Sequence, residues 1–495
     1  MTDAFDAVVV GSGPNGLAAA VTLTAAGLRV LVIEGAATPG GGCRTEELTL
    51  PGFHHDVCST AHPLALASSF FERFDLAARG VRMVHPEVVF AHPLDGGRAA
   101  IAVRSPAETA ARLGNDHRAY QRLYGPLVRH APELADWVFS GERRPPGNPL
   151  ALAAYGLNGL RSAEAVVKRF RTDEARGLFA GVAAHAMRPL SSAPTAGVGL
   201  LLTVLGHSVG WPFVEGGSAR LVDALVAALE AGGGELRTGW WVRSLDELPP
   251  AGAVLLDVTP RQLIALSGDR LRGRYRQAME RFRYGAGICK ADFALAGPVP
   301  WSNPDCRRAG TVHLGGTFEE VAASEATVAA GRHPLSPYVL VVQAGAADPS
   351  RAPTGCQTLW AYCHVPPRSS VDMTAPIEAQ IERFAPGFRD LVLARAHRTA
   401  LEQETYDPNC VGGDIASGMQ NLAQTICRPA PRWDPYRTPL KGIYLCSAST
   451  TPGPGVHGRC GELAALSALR HSFGVRRAPD LAPAAALRVS ALEGA

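Results

Sequence analysis

Short, wholly apolar runs alternate with glycine- and proline-rich turns along this chain, and the first few organise the rest. Ala7-Val8-Val9-Val10 is apolar throughout and β-branched at three positions, which predicts a strand buried on both faces of a parallel sheet. Residues 17–26 hold small and apolar side chains and predict a helix lying tightly on that sheet, ended by Gly27. Residues 28–33 repeat the strand pattern and finish at Glu34. Helical spacing recurs over 107–113, 119–128, 221–229 and 376–384, and residues from about 70 to 212 read as largely helical. Runs at 254–260 and 338–343 read as further strands, and 235–242 as a strand ending at a valine. A strand from 442, a glycine-proline loop and a helix over 461–469 follow near the end. The most apolar stretch, 197–206, is shorter than the roughly 20 residues of a membrane span. It predicts a core helix, or an apolar lip that touches membrane or admits a greasy substrate.

Between the first strand and helix stands Gly11-Ser12-Gly13-Pro14-Asn15-Gly16, the spacing G-x-G-x-x-G. In that context Gly11 makes the turn, Gly13 lets backbone approach a diphosphate, and Gly16 lets helix and strand touch. The helix N-terminus offers free N–H groups and a positive dipole. Glu34, about 20 residues on, is placed to accept hydrogen bonds from an adenosine ribose, with Gly35 beside it. Gly41, Gly42, Arg44 and Thr45 form a second cluster that resembles the G-G-x-x-x-T extension of glutathione-reductase-like FAD proteins. The resemblance implies FAD as cofactor, against the competing reading of a glycine turn with no ligand.

At 495 residues the chain is long enough for two lobes. A net charge of +3 is too mild for a nucleic-acid partner, and the Arg143-Arg144 and Arg476-Arg477 pairs read as solvated surface. The ten cysteines show no C-x-x-C and no metal-ligand spacing, so we expect reduced thiols, no redox disulfide and no metal site. No basic-then-apolar leader precedes the first strand, which points to a cytoplasmic protein. The expected organisation is an FAD lobe of residues 1–70, 213–285 and 396–477. A substrate lobe of 71–212 and 286–395 and a peripheral tail of 478–495 complete it.

The N-terminal motif, Pro51-Gly52-Phe53, Glu215-Gly216-Gly217 and the stretch from Tyr444 to Val456 resemble the bacterial phytoene desaturases and their carotenoid/retinoid oxidoreductase relatives. The resemblance implies an α/β fold: a Rossmann-like FAD lobe of glutathione-reductase type, with a discontinuous mixed-sheet and helical substrate lobe. It implies that Trp241, Val242, Thr259, Ser447, Gly455 and Val456 complete the FAD site. Amine oxidases of the same fold carry Gly-Asp where this chain has Ser447-Ala448, and an aromatic pair where it has Val456-His457. Both departures point toward an apolar C–H substrate.

The implied reaction is dehydrogenation of a C–C bond of an apolar, isoprenoid-like molecule, with hydride passing to flavin N5. Lys290 resembles the lysine that amine-oxidase-like enzymes hold near N5. Its rival role is an ion pair with Asp292. His457 is the second catalytic candidate, against a role bracing its loop. His185, Arg188 and His207 are expected in core or interlobe roles rather than catalysis. No second G-x-G-x-x-G is expected after a strand, and with it no NAD(P) domain, so oxygen, a quinone or another acceptor takes the electrons. The rival readings are an amine oxidase, a redox-neutral double-bond isomerase and a flavin-free prenyl-binding protein.

Overall fold

A computed structural model of the chain describes residues 5–141 and 147–483. Five strands, Ala7–Val10, Val30–Ile33, Glu235–Arg237, Ala253–Leu256 and Ile443–Leu445, form an all-parallel sheet. The first strand is its centre, flanked by Val30–Ile33 and Ala253–Leu256, with all four of its residues buried. Three of the five strands are drawn from more than 200 residues away, and the three inner strands are apolar and buried at every position, as the inside of such a sheet requires. Helix Pro14–Ala25 leaves the glycine turn and packs between this sheet and the C-terminal helix Arg459–Ser472.

Seven strands make the second sheet, in the order Val392–Arg398, Gly287–Leu295, Gln357–Val365, Val339–Val342, Ala309–Leu314, Val88–Pro93 and Ala99–Ala102. All pairings are antiparallel except that of Ala309–Leu314 with Val88–Pro93. One face packs Phe293, Leu359 and Val341 against Ile377, Ile381 and Phe384 of helix Thr374–Phe384. The opposite face turns Phe90, Leu340, Trp360 and Tyr362 toward helices Asp173–Ala183 and Thr195–Ser208.

Three expectations need correcting. Residues 70–212, expected to be largely helical, also supply Val88–Pro93 and Ala99–Ala102 to the second sheet. Val88-Val89-Phe90-Ala91 is buried throughout, and a run apolar at every position carries no period to separate strand from helix. The strand of 235–242 stops at Arg237, and Trp240 to Val242 continue as irregular chain. Val392–Arg398 lies wholly in the second sheet, so that sheet passes the expected boundary at 395. Arg476 and Arg477 are exposed. Arg143, Arg144 and residues 484–495 of the tail lie outside the described residues. Among the described residues no helix is long and apolar enough to cross a membrane.

Candidate dinucleotide and substrate site

One cavity of about 1460 Å³ runs from the first glycine turn to the space between the second sheet and the helices over it. A single small-molecule site occupies about 300–1,000 Å³, so this one has room for two ligands end to end. Gly11, Ser12, Gly13, Pro14, Asn15, Glu34, Gly35, Gly41, Gly42 and Arg44 all line it, as do Trp241, Val242, Ser447, Gly455 and Val456. Gly16, Thr45, Thr259, Lys290 and His457 stand behind its wall.

At the nucleotide end, Gly11 has φ +99°, and a Cβ on Gly16 would lie 2.1 Å from the Gly11 carbonyl oxygen. The turn therefore closes only with glycine at both places. A Cβ on Gly41 would stand 3.2 Å from the Gly13 Cα, inside the hollow that the two glycine clusters enclose. No side chain caps the helix at Gly13, and the buried Asn15 Oδ1 beside it has no partner. Glu34 Oε2 accepts from Ser12 N (2.9 Å) and Ser12 Oγ (2.6 Å), and Oε1 from Ala36 N (2.8 Å). Arg44 donates to the Thr38 carbonyl (2.7 Å) with its guanidinium over the Tyr406 ring. Trp241, about half exposed, lies against Gly35, where a Cβ would come within 2.1 Å of the indole. A glycine hollow at an open helix end, with a carboxylate and a flat aromatic beyond it, fits a dinucleotide.

Asp257, at the end of strand Ala253–Leu256, was not singled out from the sequence. Its Oδ2 accepts the Gly16 N–H at 2.9 Å and would touch a Cβ on Gly13 at 2.8 Å. Burial pushes its pKa up to about 7, and the nearby carboxylates of Asp407 and Glu34 add to that. Contrary to the expectation of a single such turn, the spacing G-x-G-x-x-G recurs at Gly453–Gly458, between strand Ile443–Leu445 and helix Arg459–Ser472. Gly455 lines the same cavity as Gly13, so the second turn completes one site instead of building another.

The residues behind the wall hold it in place. Thr45 Oγ1 donates to Asp56 Oδ1 (2.7 Å) and accepts from Ala219 N (3.1 Å). Asp56 Oδ2 receives the guanidinium of the buried Arg351 (2.8 Å), which also reaches Asp348 (2.8 Å). This network seats the loop of Cys58 to Ala61, all four of which line the cavity. Thr259 starts helix Pro260–Ser267, its N–H bonded to Gln262 Oε1. His457 accepts the Arg459 N–H at Nδ1 (3.0 Å) and donates from Nε2 to the Gly453 carbonyl (3.1 Å). Both ring nitrogens thus brace its own loop, and burial lowers its pKa to about 4. Lys290 is ion-paired with Asp292, its ammonium 5.1 Å from the centroid of the Trp360 ring.

Trp360 and Tyr362, on strand Gln357–Val365, stack 5.9 Å apart and form the sheet side of the cavity. Trp360 Nε1 donates to Thr60 Oγ1 (2.9 Å), joining the two lobes at this point. Leu340 and Val342 continue the wall, and Tyr155, Val198, Leu201 and Leu202 face them from the helices. Residues 197–206 are thus a core helix with one edge on the cavity. His207 is satisfied by Tyr120 Oη (2.7 Å) and the Val103 carbonyl (2.9 Å), and Arg188 donates to the carbonyls of Ala193 (2.9 Å) and Gln420 (3.1 Å). His185 lines the cavity itself. All ten cysteines are free thiols, and among the described residues no cluster is set to bind a metal.

Residues 9–74 match the family of NAD(P)-binding Rossmann-like domains. A rat protein named pyridine nucleotide-disulfide oxidoreductase domain-containing protein 2 is 25% identical over 543 aligned residues, covering 93% of this chain and 92% of that one. Among solved structures, an oxidoreductase from Methanosarcina mazei superposes with a TM-score of 0.60 at 18% identity, covering 94% of this chain and 99% of that one. Cyclohexylamine oxidase from Brevibacterium oxydans gives 0.58 at 14% identity, covering 96% of this chain and 100% of that one. The chain therefore has the fold of the flavin-type oxidoreductases, a Rossmann-like unit joined to a separate multi-strand sheet lobe.

Proposed function

We propose that the chain is an FAD-dependent, desaturase-like dehydrogenase acting on a C–C bond of an apolar substrate. One observation carries this reading against an amine substrate. Among the described residues, the wall between the sheet and the helices holds no acidic side chain, whereas Glu34, Asp257 and Asp407 all lie at the nucleotide end. An ammonium group would find no carboxylate there, and only the faces of Trp360 and Tyr362 would offset its desolvation.

In this reading the Gly11–Gly16 turn and helix N-terminus hold the diphosphate, Glu34 the ribose, and the backbone of Trp241 and Val242 the adenine. Gly42, Ser447, Gly455 and Val456, which line the same cavity, would hold the ring. When bound, FAD supplies a two-electron acceptor. Trp360 and Tyr362 orient the carbon skeleton, and Val198, Leu201 and Leu202 give it an apolar wall on the helix side. With Lys290 paired to Asp292 and His457 braced in its loop, the substrate proton passes to water. Oxygen or a quinone takes the electrons away.

We also assign a peripheral membrane contact to helix Pro149–Gly159. Leu150, Ala153 and Leu157 lie exposed along one side of it, followed by the exposed Leu160, which lines the cavity. An apolar stripe leading into an apolar cavity suits a substrate drawn from lipid. Leu150→Glu/Leu157→Glu should abolish flotation with phosphatidylcholine vesicles, and unchanged flotation would refute the contact.

The reaction is tested by mixing the FAD-loaded protein anaerobically with isoprenoid hydrocarbons and, separately, with primary amines. Flavin bleaching by a hydrocarbon, with a product lighter by two hydrogens, is the expected result. Bleaching by amines alone would establish an amine oxidase. A product of unchanged mass would establish an isomerase.

A further inference from the structure

The sheet wall of the cavity carries one polar spot that the chemistry above does not use. Thr311 is 1% exposed, lines the cavity, and its hydroxyl has no partner. His185 lines the same cavity from the turn after helix Asp173–Ala183. Its Nε2 lies 2.9 Å from Nε2 of the buried His313, two residues along the strand from Thr311. That leaves His185 Nδ1 as the ring nitrogen without a protein partner among the described residues. Nearby, His92 Nε2 bonds the Gly316 carbonyl (2.6 Å) and Trp211 Nε1 the Leu202 carbonyl (3.2 Å), whereas Nδ1 of His92 and of His313 are buried without a partner but belong to residues that do not line the cavity.

The spot is suited to a neutral group. A single hydrogen lies between the two histidine Nε2 atoms. When His313 donates it, His185 presents N–H at Nδ1; when His185 donates it, Nδ1 presents a lone pair. The Thr311 hydroxyl likewise donates or accepts. Burial holds both imidazoles neutral, lowering the His185 pKa to about 3, and no charged side chain lines this part of the wall among the described residues. A hydroxyl left unbonded in such a place is costly unless a ligand completes it.

Strand register fixes its position. Trp360 pairs with Val342, and Val342 with Thr311, so the three stand in one row across neighbouring strands. We propose that the substrate is an apolar skeleton bearing one neutral hydroxyl or carbonyl group, which docks on Thr311 and His185 two strand spacings, about 10 Å, from Trp360. The inference rests on reading this cavity as the substrate site, and it adds one neutral polar group to the apolar skeleton proposed there.

The test uses the FAD-loaded protein and three probes, n-decane, 1-decanol and decanoate, with binding followed by tryptophan fluorescence. Thr311→Val keeps the side-chain shape and should weaken 1-decanol about tenfold while leaving n-decane unchanged. Thr311→Ser should retain the wild-type affinity for 1-decanol, and His185→Phe should lose it as Thr311→Val does. Equal effects of Thr311→Val on n-decane and 1-decanol, no effect on either, failure of the wild type to bind 1-decanol, or tighter binding of decanoate than of 1-decanol would each overturn the proposal. Selective 1-decanol binding without flavin bleaching by any C–H donor would instead refute the dehydrogenase reading and leave this subsite standing.

Discussion

A Cβ placed on Gly461 would stand 1.8 Å from the carbonyl oxygen of Asn15. The two residues come from opposite ends of the sequence, and their contact sets helix Arg459–Ser472 directly on helix Pro14–Ala25. It thereby holds the Gly453–Gly458 turn over the same cavity as the Gly11–Gly16 turn. Gly461→Ala must push backbone away from backbone and should cost about 1–3 kcal/mol, as overpacking does. Urea denaturation should show that loss together with weakened FAD binding. Unchanged values for both would mean that the helices separate without consequence.

Asp257 gives the nucleotide site a pH dependence. Its pKa, raised from 3.8 to about 7, means that the folded chain holds this proton more tightly than the unfolded one. The resulting stabilisation is full below about pH 4 and is lost as pH rises through about 7. A diphosphate brought to Gly13 meets the same carboxylate, so FAD affinity of the apo-protein should fall between about pH 6 and pH 8. Glu34, Asp407, the Gly16 N–H and the Cys446 and Cys460 thiols face Asp257; the two carboxylates raise its pKa and the N–H opposes the shift. Asp257→Asn should flatten the pH profile and raise affinity at about pH 8. A wild-type profile that is already flat would contradict this.

Arg351 is fully buried between Asp56 and Asp348, and Asp56 in turn holds Thr45 and the Ser218 N–H (2.9 Å). Arg351→Ala leaves two buried carboxylates without their cation and should cost about 3–5 kcal/mol. The thermal midpoint should drop accordingly, with FAD affinity falling as the loop of Cys58 to Ala61 loosens. A midpoint unchanged from wild type would show that the network does not secure the wall.

Lys290→Met alone strands the Asp292 carboxylate, so the informative variant is Lys290→Met/Asp292→Leu. If the pair is structural, this double variant binds FAD and reduces it anaerobically at the wild-type rate. A rate lowered about a hundredfold or more in a folded, flavin-loaded variant would restore Lys290 to the chemistry.

The nucleotide end was legible in the sequence because its constraints are local. A positive φ at Gly11 and a 2.1 Å approach at Gly16 admit no other residue, and both lie within six positions. Asp257 was not legible, since it meets Gly16 from 241 residues away and carries no motif of its own. The strands at 88–102 read as helix because a run buried on both faces has no periodicity. The Trp360 and Tyr362 wall and the Thr311 spot depend on which face of a buried strand looks into a cavity, which only the packed helices decide. His185 and His207 looked alike in sequence. One is satisfied in the core and the other borders the cavity.

The central claim is that both ends of the chain close on one FAD. Its most direct measurement is the absorption spectrum of the purified protein, followed by mass identification of the small molecule released on heating. The account predicts a yellow protein releasing one FAD per chain. A colourless protein that takes up no FAD on titration would contradict it.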